Sequence, residues 1–284
     1  MTRSVPHFGL ALGGGGARGL AHIKILQVID EFGIKPKVIS GTSMGALVGC
    51  LYASGMNGLE IEDYAKDLFS KRTELIKRLY GNRPNKWVSL INLRTPSILN
   101  AEAFFQMLMP EDLPENFEDL KIPFHAITTD FYTQEQYTVS KGKLIPAIAA
   151  SSALPALLKP VELDERVLID GGFVNPVPFN ILNGKVDITI AVDVTGEQAR
   201  LAGKVPNSID ALIGCSQILL RSLTNNMLQN NELKNNQQLI LAQPRVGRYN
   251  VLDYFKIEDI FTHSEEAADD LRRNLEQILN QQVA

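Results

Sequence analysis

The sequence predicts a three-layer α/β/α domain on a mostly parallel sheet, and three observations carry that prediction. Strand-like apolar runs alternate with stretches of helical spacing along most of the chain, the pattern that folds into parallel strands covered by helices. The first run, Phe8-Gly9-Leu10-Ala11-Leu12, opens directly into Gly13-Gly14-Gly15-Gly16-Ala17-Arg18-Gly19. The second, Val38-Ile39, opens into Gly41-Thr42-Ser43-Met44-Gly45. Both stretches read as a strand, a glycine-bearing turn and a helix in immediate succession.

Taken in order, Ile25, Leu26, Ile29 and Phe32 follow helical spacing after the glycine loop, and Gly33 caps that helix. Ala46 to Ala53 is apolar on every side, as in a buried helix. Leu59 to Leu79 reads as helix, and so does Ala101 to Met109 with Asn100 as its N-cap. Phe124 to Thr129 is a strand that Gln136 to Val139 joins as a hairpin. Leu144 to Ala150 is a short apolar helix leading into the small-residue run Ser151-Ser152-Ala153. Val161-Glu162-Leu163 and Arg166-Val167-Leu168-Ile169 flank a tight turn at Asp164-Glu165. The second of these strands ends at Asp170-Gly171-Gly172, before Asn175-Pro176-Val177-Pro178. Ile188 to Val194 is a buried strand. From Ser208 an amphipathic helix follows, its outer face rich in Asn and Gln. Gln238 to Ala242 is a last strand, and Thr262 to Gln281 a closing helix. Residues 1–284 read as one domain, with a motif-bearing core over 8–194 and C-terminal helices and a strand over 205–284.

A formal net charge of −4 argues against a nucleic-acid partner. Cys50 and Cys215 lie in apolar surroundings and read as small buried hydrophobes. No signal-peptide pattern opens the chain and no apolar run reaches membrane-spanning length, so a cytoplasmic protein is expected, at most peripheral to the inner membrane face. Over 71–94, Lys71, Arg72, Lys77, Arg78, Arg83, Lys86 and Arg94 face a single acid, Glu74, with Trp87 and aliphatic residues between them. That mixture suits contact with an anionic membrane surface, and equally a solvated helix face and loop.

Gly41-x-Ser43-x-Gly45 is the nucleophile-elbow pattern, in which a serine sits on a sharp strand-to-helix turn. Glycines two residues to either side let the helix and strand backbones approach closely. The glycine loop admits three readings. Gly14-x-Gly16-x-x-Gly19 fits the dinucleotide fingerprint, but no carboxylate follows at a strand end about 20 residues on. A phosphate-cradling loop would close on Gly-Lys-Ser/Thr, and Arg18-Gly19-Leu20 does not. An oxyanion hole, with backbone N–H groups aimed at a tetrahedral intermediate, is favoured by the elbow serine on the next βα unit.

A serine nucleophile needs a proton acceptor. Of the four histidines, only His263 follows the serine and an acid in the usual hydrolase order, and its surroundings look like an exposed helix N-terminus. His22 reads as a packing residue holding the glycine loop. No metal-ligand motif is present. Asp170, at a strand end with two glycines behind it, is placed to reach into a site.

The ordered blocks Gly14 to Gly19, Gly41 to Gly45, Ala150-Ser151-Ser152-Ala153-Leu154-Pro155 and Asp170-Gly171-Gly172 resemble the patatin-like phospholipases, most closely their bacterial, neuropathy-target-esterase-type members. The resemblance runs from about Phe8 to Val194. It implies Ser43 as nucleophile, Asp170 as sole general base, and an oxyanion hole from the N–H groups of Gly14, Gly15, Gly16 and Met44. It implies supporting roles for Arg18, Gly19, Gly41, Gly45, Gly171 and Gly172, with Arg18 holding the loop or the substrate's charge. A fatty-acyl ester or phospholipid substrate follows, with no metal and no cofactor. Two alternatives stand beside hydrolysis: acyl transfer on the same dyad, and a nucleotide- or anion-binding module using the glycine loop.

Overall fold

The computed structural model describes residues 6–70, 100–155, 157–196, 205, 208–230 and 237–283. Eight strands form one sheet: β1 (Phe8–Leu12), β2 (Val38–Thr42), β3 (Phe124–Asp130), β4 (Gln136–Val139), β5 (Val161–Leu163), β6 (Arg166–Asp170), β7 (Ile188–Val192) and β8 (Gln238–Ala242). The order across it is β5-β6-β3-β2-β1-β7-β8, with β4 paired to β3 off that path. The block β3-β2-β1-β7-β8 is parallel throughout, and β4 and β6 run antiparallel to β3. The predicted architecture therefore stands, with its antiparallel part gathered at one edge. Strands β1, β2 and β7 are buried along their whole length; β1 accordingly reads as a continuous apolar run, while Ser40 and Thr42 of β2 are buried with their hydroxyls donated to the Pro178 and Asn175 carbonyls.

Eight helices accompany the sheet among the described residues: α1 (His22–Glu31), α2 (Met44–Ser54), α3 (Gly58–Ser70), α4 (Ala101–Leu108), α5 (Leu144–Ser151), α6 (Ser208–Gln229), α7 (Ile257–Thr262) and α8 (Glu265–Val283). The main core lies where α1, α2, α4, α5 and α8 cover one sheet face. The opposite face meets Val177, Phe179, Leu182 and Val186, with Met227 and Leu228 of α6 packed beyond them. Asp164 and Glu165 both adopt positive φ, 50° and 59°, the twist a two-residue hairpin needs to join β5 to β6.

Three expectations change. The closing helix starts at Glu265 rather than Thr262, because a separate short helix, α7, ends at Thr262 and His263 caps it. The polar outer face of α6 holds only for its C-terminal half, around Asn225 and Asn226; nearer its start Leu212, Ile218 and Leu219 are exposed. Cys50 is buried as expected, but Cys215 lies on that exposed face. The basic stretch 71–94 lies outside the described residues. Among the described residues no helix is long and apolar enough to cross a membrane.

Candidate active site

The elbow forms where β2 gives way to α2 without an intervening loop. Ser43 takes φ 54° and ψ −122°, a conformation that side-chain-bearing residues rarely adopt and that costs on the order of 1–3 kcal/mol. The surroundings enforce it. A Cβ on Gly41 would lie 2.5 Å from the Gly45 carbonyl, and one on Gly45 would run into the Leu12 carbonyl. Both glycines are therefore required by the closeness of strand, helix and β1. Hydrogen bonds hold the turn at each residue. Thr42 Oγ1 donates to the Asn175 carbonyl at 2.8 Å, and the Ser43 N–H donates to Ser151 Oγ at 2.9 Å.

Asp170 reaches the elbow through sheet register. Strand β3 pairs Ile127 with Thr42 and then continues three residues past the end of β2. Strand β6 runs back along that overhang, and its last residue, Asp170, pairs with Thr128. The residue after Thr42 is Ser43, so the ends of β2 and β6 meet on the same edge of β3 and bring serine and aspartate together. The carboxylate is buried and its Oδ1 accepts the Gly172 N–H at 2.8 Å. Burial pushes its pKa from 3.8 up to about 6, against the Gly172 N–H and a hydrogen bond from the Ser43 side chain, both of which favour the ionised form. Tyr254 sits beside this group, stacked on Phe69 at 5.1 Å between centroids. Burial and the Asp170 charge both raise the Tyr254 hydroxyl pKa.

The glycine loop lies against the elbow, and a Cβ on Gly14 would stand 3.2 Å from Ser43 Cβ. The expected donor set needs one correction. The Gly14 N–H is already hydrogen-bonded to the Pro176 carbonyl at 2.9 Å, so it does not stand open as the expectation had it. No acceptor for the N–H groups of Gly15, Gly16 or Met44 is found among the described residues. Gly16 has φ 56°, and its Cα faces the Val251 carbonyl so closely that no side chain fits. Arg18 is buried and holds the loop: Nε donates to the Tyr249 carbonyl at 2.7 Å, and Nη1 to the Thr195 carbonyl and Gln217 Oε1. These contacts tie the glycine loop to the C-terminal part of the chain. His22 is also a brace. Burial lowers its pKa to about 4, so it is neutral and donates from Nε2 to the Gly13 carbonyl at 2.8 Å.

The other histidines stand elsewhere. His263 contacts the Tyr249 hydroxyl and the Asp259 carbonyl, and His125 meets Lys185. Three contributors were given no part in the site by the sequence reading. Asn175, Pro176 and Pro178 present carbonyls to Thr42, Gly14 and Ser40; the two prolines, lacking N–H groups, were the available signal. Ser151 grips the elbow. The segment Tyr249–Val251 and Gln217, in the part of the chain without a recognisable motif, clamp the glycine loop.

Fold and site define an α/β protein with a strained elbow serine facing a buried carboxylate. More particularly, the chain belongs to the patatin-like phospholipase family, whose model matches residues 10–183. An uncharacterized NTE family protein of Mycobacterium tuberculosis is 38% identical over 197 residues, covering 69% of this chain and 51% of the relative. The yeast Saccharomyces cerevisiae protein lysophospholipase NTE1 is 29% identical over 275 residues, covering 89% of this chain and 16% of its own length. The chain thus spans about half the length of the mycobacterial relative and a much smaller part of the yeast one. Human GIVD cytosolic phospholipase A2 superposes with a TM-score of 0.55 at 12% identity, over 98% of this chain and 60% of that one; the likeness is one of fold.

Proposed function

We propose that this protein is a serine acyl hydrolase that cleaves fatty-acyl esters of phospholipids or lysophospholipids, with Ser43 as nucleophile and Asp170 as the only base. The meeting of the elbow Ser43 with the buried Asp170 carboxylate at the adjoining ends of β2 and β6 carries the reading. A carboxylate with a pKa of about 6 is ionised at neutral pH, yet a stronger base than an ordinary aspartate at 3.8. Asp170 takes the proton from Ser43 Oγ as that oxygen attacks the ester carbonyl carbon. Negative charge then develops on the former carbonyl oxygen. The N–H groups of Gly15, Gly16 and Met44 are the donors available to receive it, helped by the N-terminal end of the α2 dipole. Protonated Asp170 returns the proton to the departing alcohol, and water, activated by the same carboxylate, hydrolyses the acyl-Ser43 intermediate. The lipid character of the substrate is supported by the family and by the lysophospholipase name of the yeast relative.

The test is fatty-acid release from a panel of phospholipids, lysophospholipids and short-chain esters, with a chelator present. Wild type should release fatty acid, and Ser43→Ala and Asp170→Asn should each lose on the order of 1,000-fold or more while remaining folded. Adding alcohols and thiols during turnover distinguishes hydrolysis from acyl transfer: hydrolysis predicts free fatty acid as the main product throughout. Saturable dinucleotide binding without ester cleavage would instead support the binding-module alternative.

A further inference from the structure

The end of α5 and the residues just after it touch both halves of the candidate dyad. Ser151, the last residue of α5, is fully buried. Its hydroxyl donates to the Ile127 carbonyl at 2.6 Å and accepts the Ser43 N–H at 2.9 Å. Two residues further on, the Ala153 carbonyl accepts the Asp170 N–H at 3.1 Å. The Ile127 carbonyl is also the atom against which Gly171 packs, too closely for a side chain. Elbow and aspartate turn are thus tied to one short piece of chain and to one carbonyl of β3, the strand that runs alongside both.

We propose that Ser151 is a positioning residue that sets the distance and angle between Ser43 Oγ and the Asp170 carboxylate. Its own proton is committed to Ile127, which turns a lone pair toward the Ser43 N–H and leaves Ser151 no part as base or nucleophile. The peptide it holds leads directly into the Ser43 Cα–Cβ bond. Any relaxation of the positive φ at Ser43 therefore swings the hydroxyl away from its partner. An alanine at 151 leaves a buried N–H without an acceptor, and the cheapest relief is a rotation of that peptide. Misplacement of a reacting atom by about 1 Å costs on the order of 100-fold in rate. The small-residue run of this segment, which the sequence suggests only for close packing, then has a polar role as well.

The inference rests on the Ser43–Asp170 reading, so the experiment carries a control for each. Steady-state ester cleavage and the rate of fluorophosphonate labelling are measured for wild type, Ser151→Ala, Ser151→Cys and Ser43→Ala, with folding checked by circular dichroism. Ser151→Ala should lose about 100-fold in kcat with KM within about twofold, and labelling should slow in parallel. The rising limb of the pH profile should stay in place, because the base is unchanged. Ser151→Cys, nearly isosteric but a poorer hydrogen-bonding group, should fall between, and decides the matter if the alanine variant does not fold. A folded Ser151→Cys protein with wild-type kcat, or a loss confined to KM, overturns the positioning role. Full activity in Ser43→Ala would instead overturn the dyad itself.

Discussion

At the scale of the single residue, Asp170 is where burial and chemistry meet. Its pKa in the folded protein, about 6, lies above the ordinary 3.8, so folding favours the protonated form. The ionised carboxylate therefore weakens the fold at pH values above about 6, and this cost disappears as pH falls below 3.8. Two consequences follow with opposite signs. Activity needs the ionised form, and kcat/KM should rise with an apparent pKa of about 6 and then stay level through pH 8. Asp170→Asn should abolish that activity yet raise stability, on the order of 2 kcal/mol at pH 8, with the difference vanishing near pH 4. Denaturant melts of both proteins across that range check the claim; a variant less stable than wild type at pH 8 would refute it. His263, engaged with Tyr249 and Asp259, has no place in the proton path. His263→Ala should leave kcat/KM within about threefold and the limb near pH 6 unmoved.

At the scale of the element, the site depends on two mismatches in length. Strand β3 outruns β2 by three residues, and β6 fills the overhang so that its end meets the elbow. The glycine loop, in turn, outruns β1 and has no sheet partner of its own beyond Gly13. It is held by the C-terminal segment instead, through Val251 on Ala17 and through the three acceptors around Arg18. A planar fork matched to three acceptors is not replaced by a point charge. Arg18→Lys should therefore lower kcat by 10-fold or more while leaving the pH profile unchanged, as comparison of kcat and KM on one soluble ester would show. Gly16→Ala faces both an unfavourable φ and the Val251 carbonyl. It should destabilise the protein by at least about 2 kcal/mol and reduce activity 100-fold or more, read by thermal melts and ester turnover together.

At the scale of the whole molecule, the sequence was informative where backbone chemistry is local. Gly41 announced the elbow because its own turn brings Gly45 and Ala46 too close for a Cβ, whereas Gly45 answers to the Leu12 carbonyl of the neighbouring β1. The apolar runs announced β1, the start of β2 and β7 because strands buried on both faces are predominantly apolar. Contacts made across the fold left no comparable trace. Nothing in Ser151 as a letter indicates that its hydroxyl meets the Ser43 N–H, 108 positions away in the chain. The Gly14 N–H looked available because the Pro176 carbonyl that occupies it comes from a distant segment. The residues after 196 act mostly through backbone carbonyls, such as those of Tyr249 and Val251, which any side chain can accompany, with Gln217 Oε1 the side-chain acceptor beside them. Recognition rests on the first 194 residues, but the loop is completed by the rest.

The central claim is that one buried carboxylate activates the elbow serine without an imidazole. The most direct measurement is the rate at which a fluorophosphonate forms a covalent adduct, mapped by peptide mass spectrometry, in wild type and Asp170→Asn from pH 4.5 to 8.5. The account predicts an adduct on Ser43 alone, forming half-maximally near pH 6 and slowed at least 100-fold throughout in the variant. An adduct on another serine, or labelling of Ser43 that proceeds equally well without the Asp170 carboxylate, would contradict it.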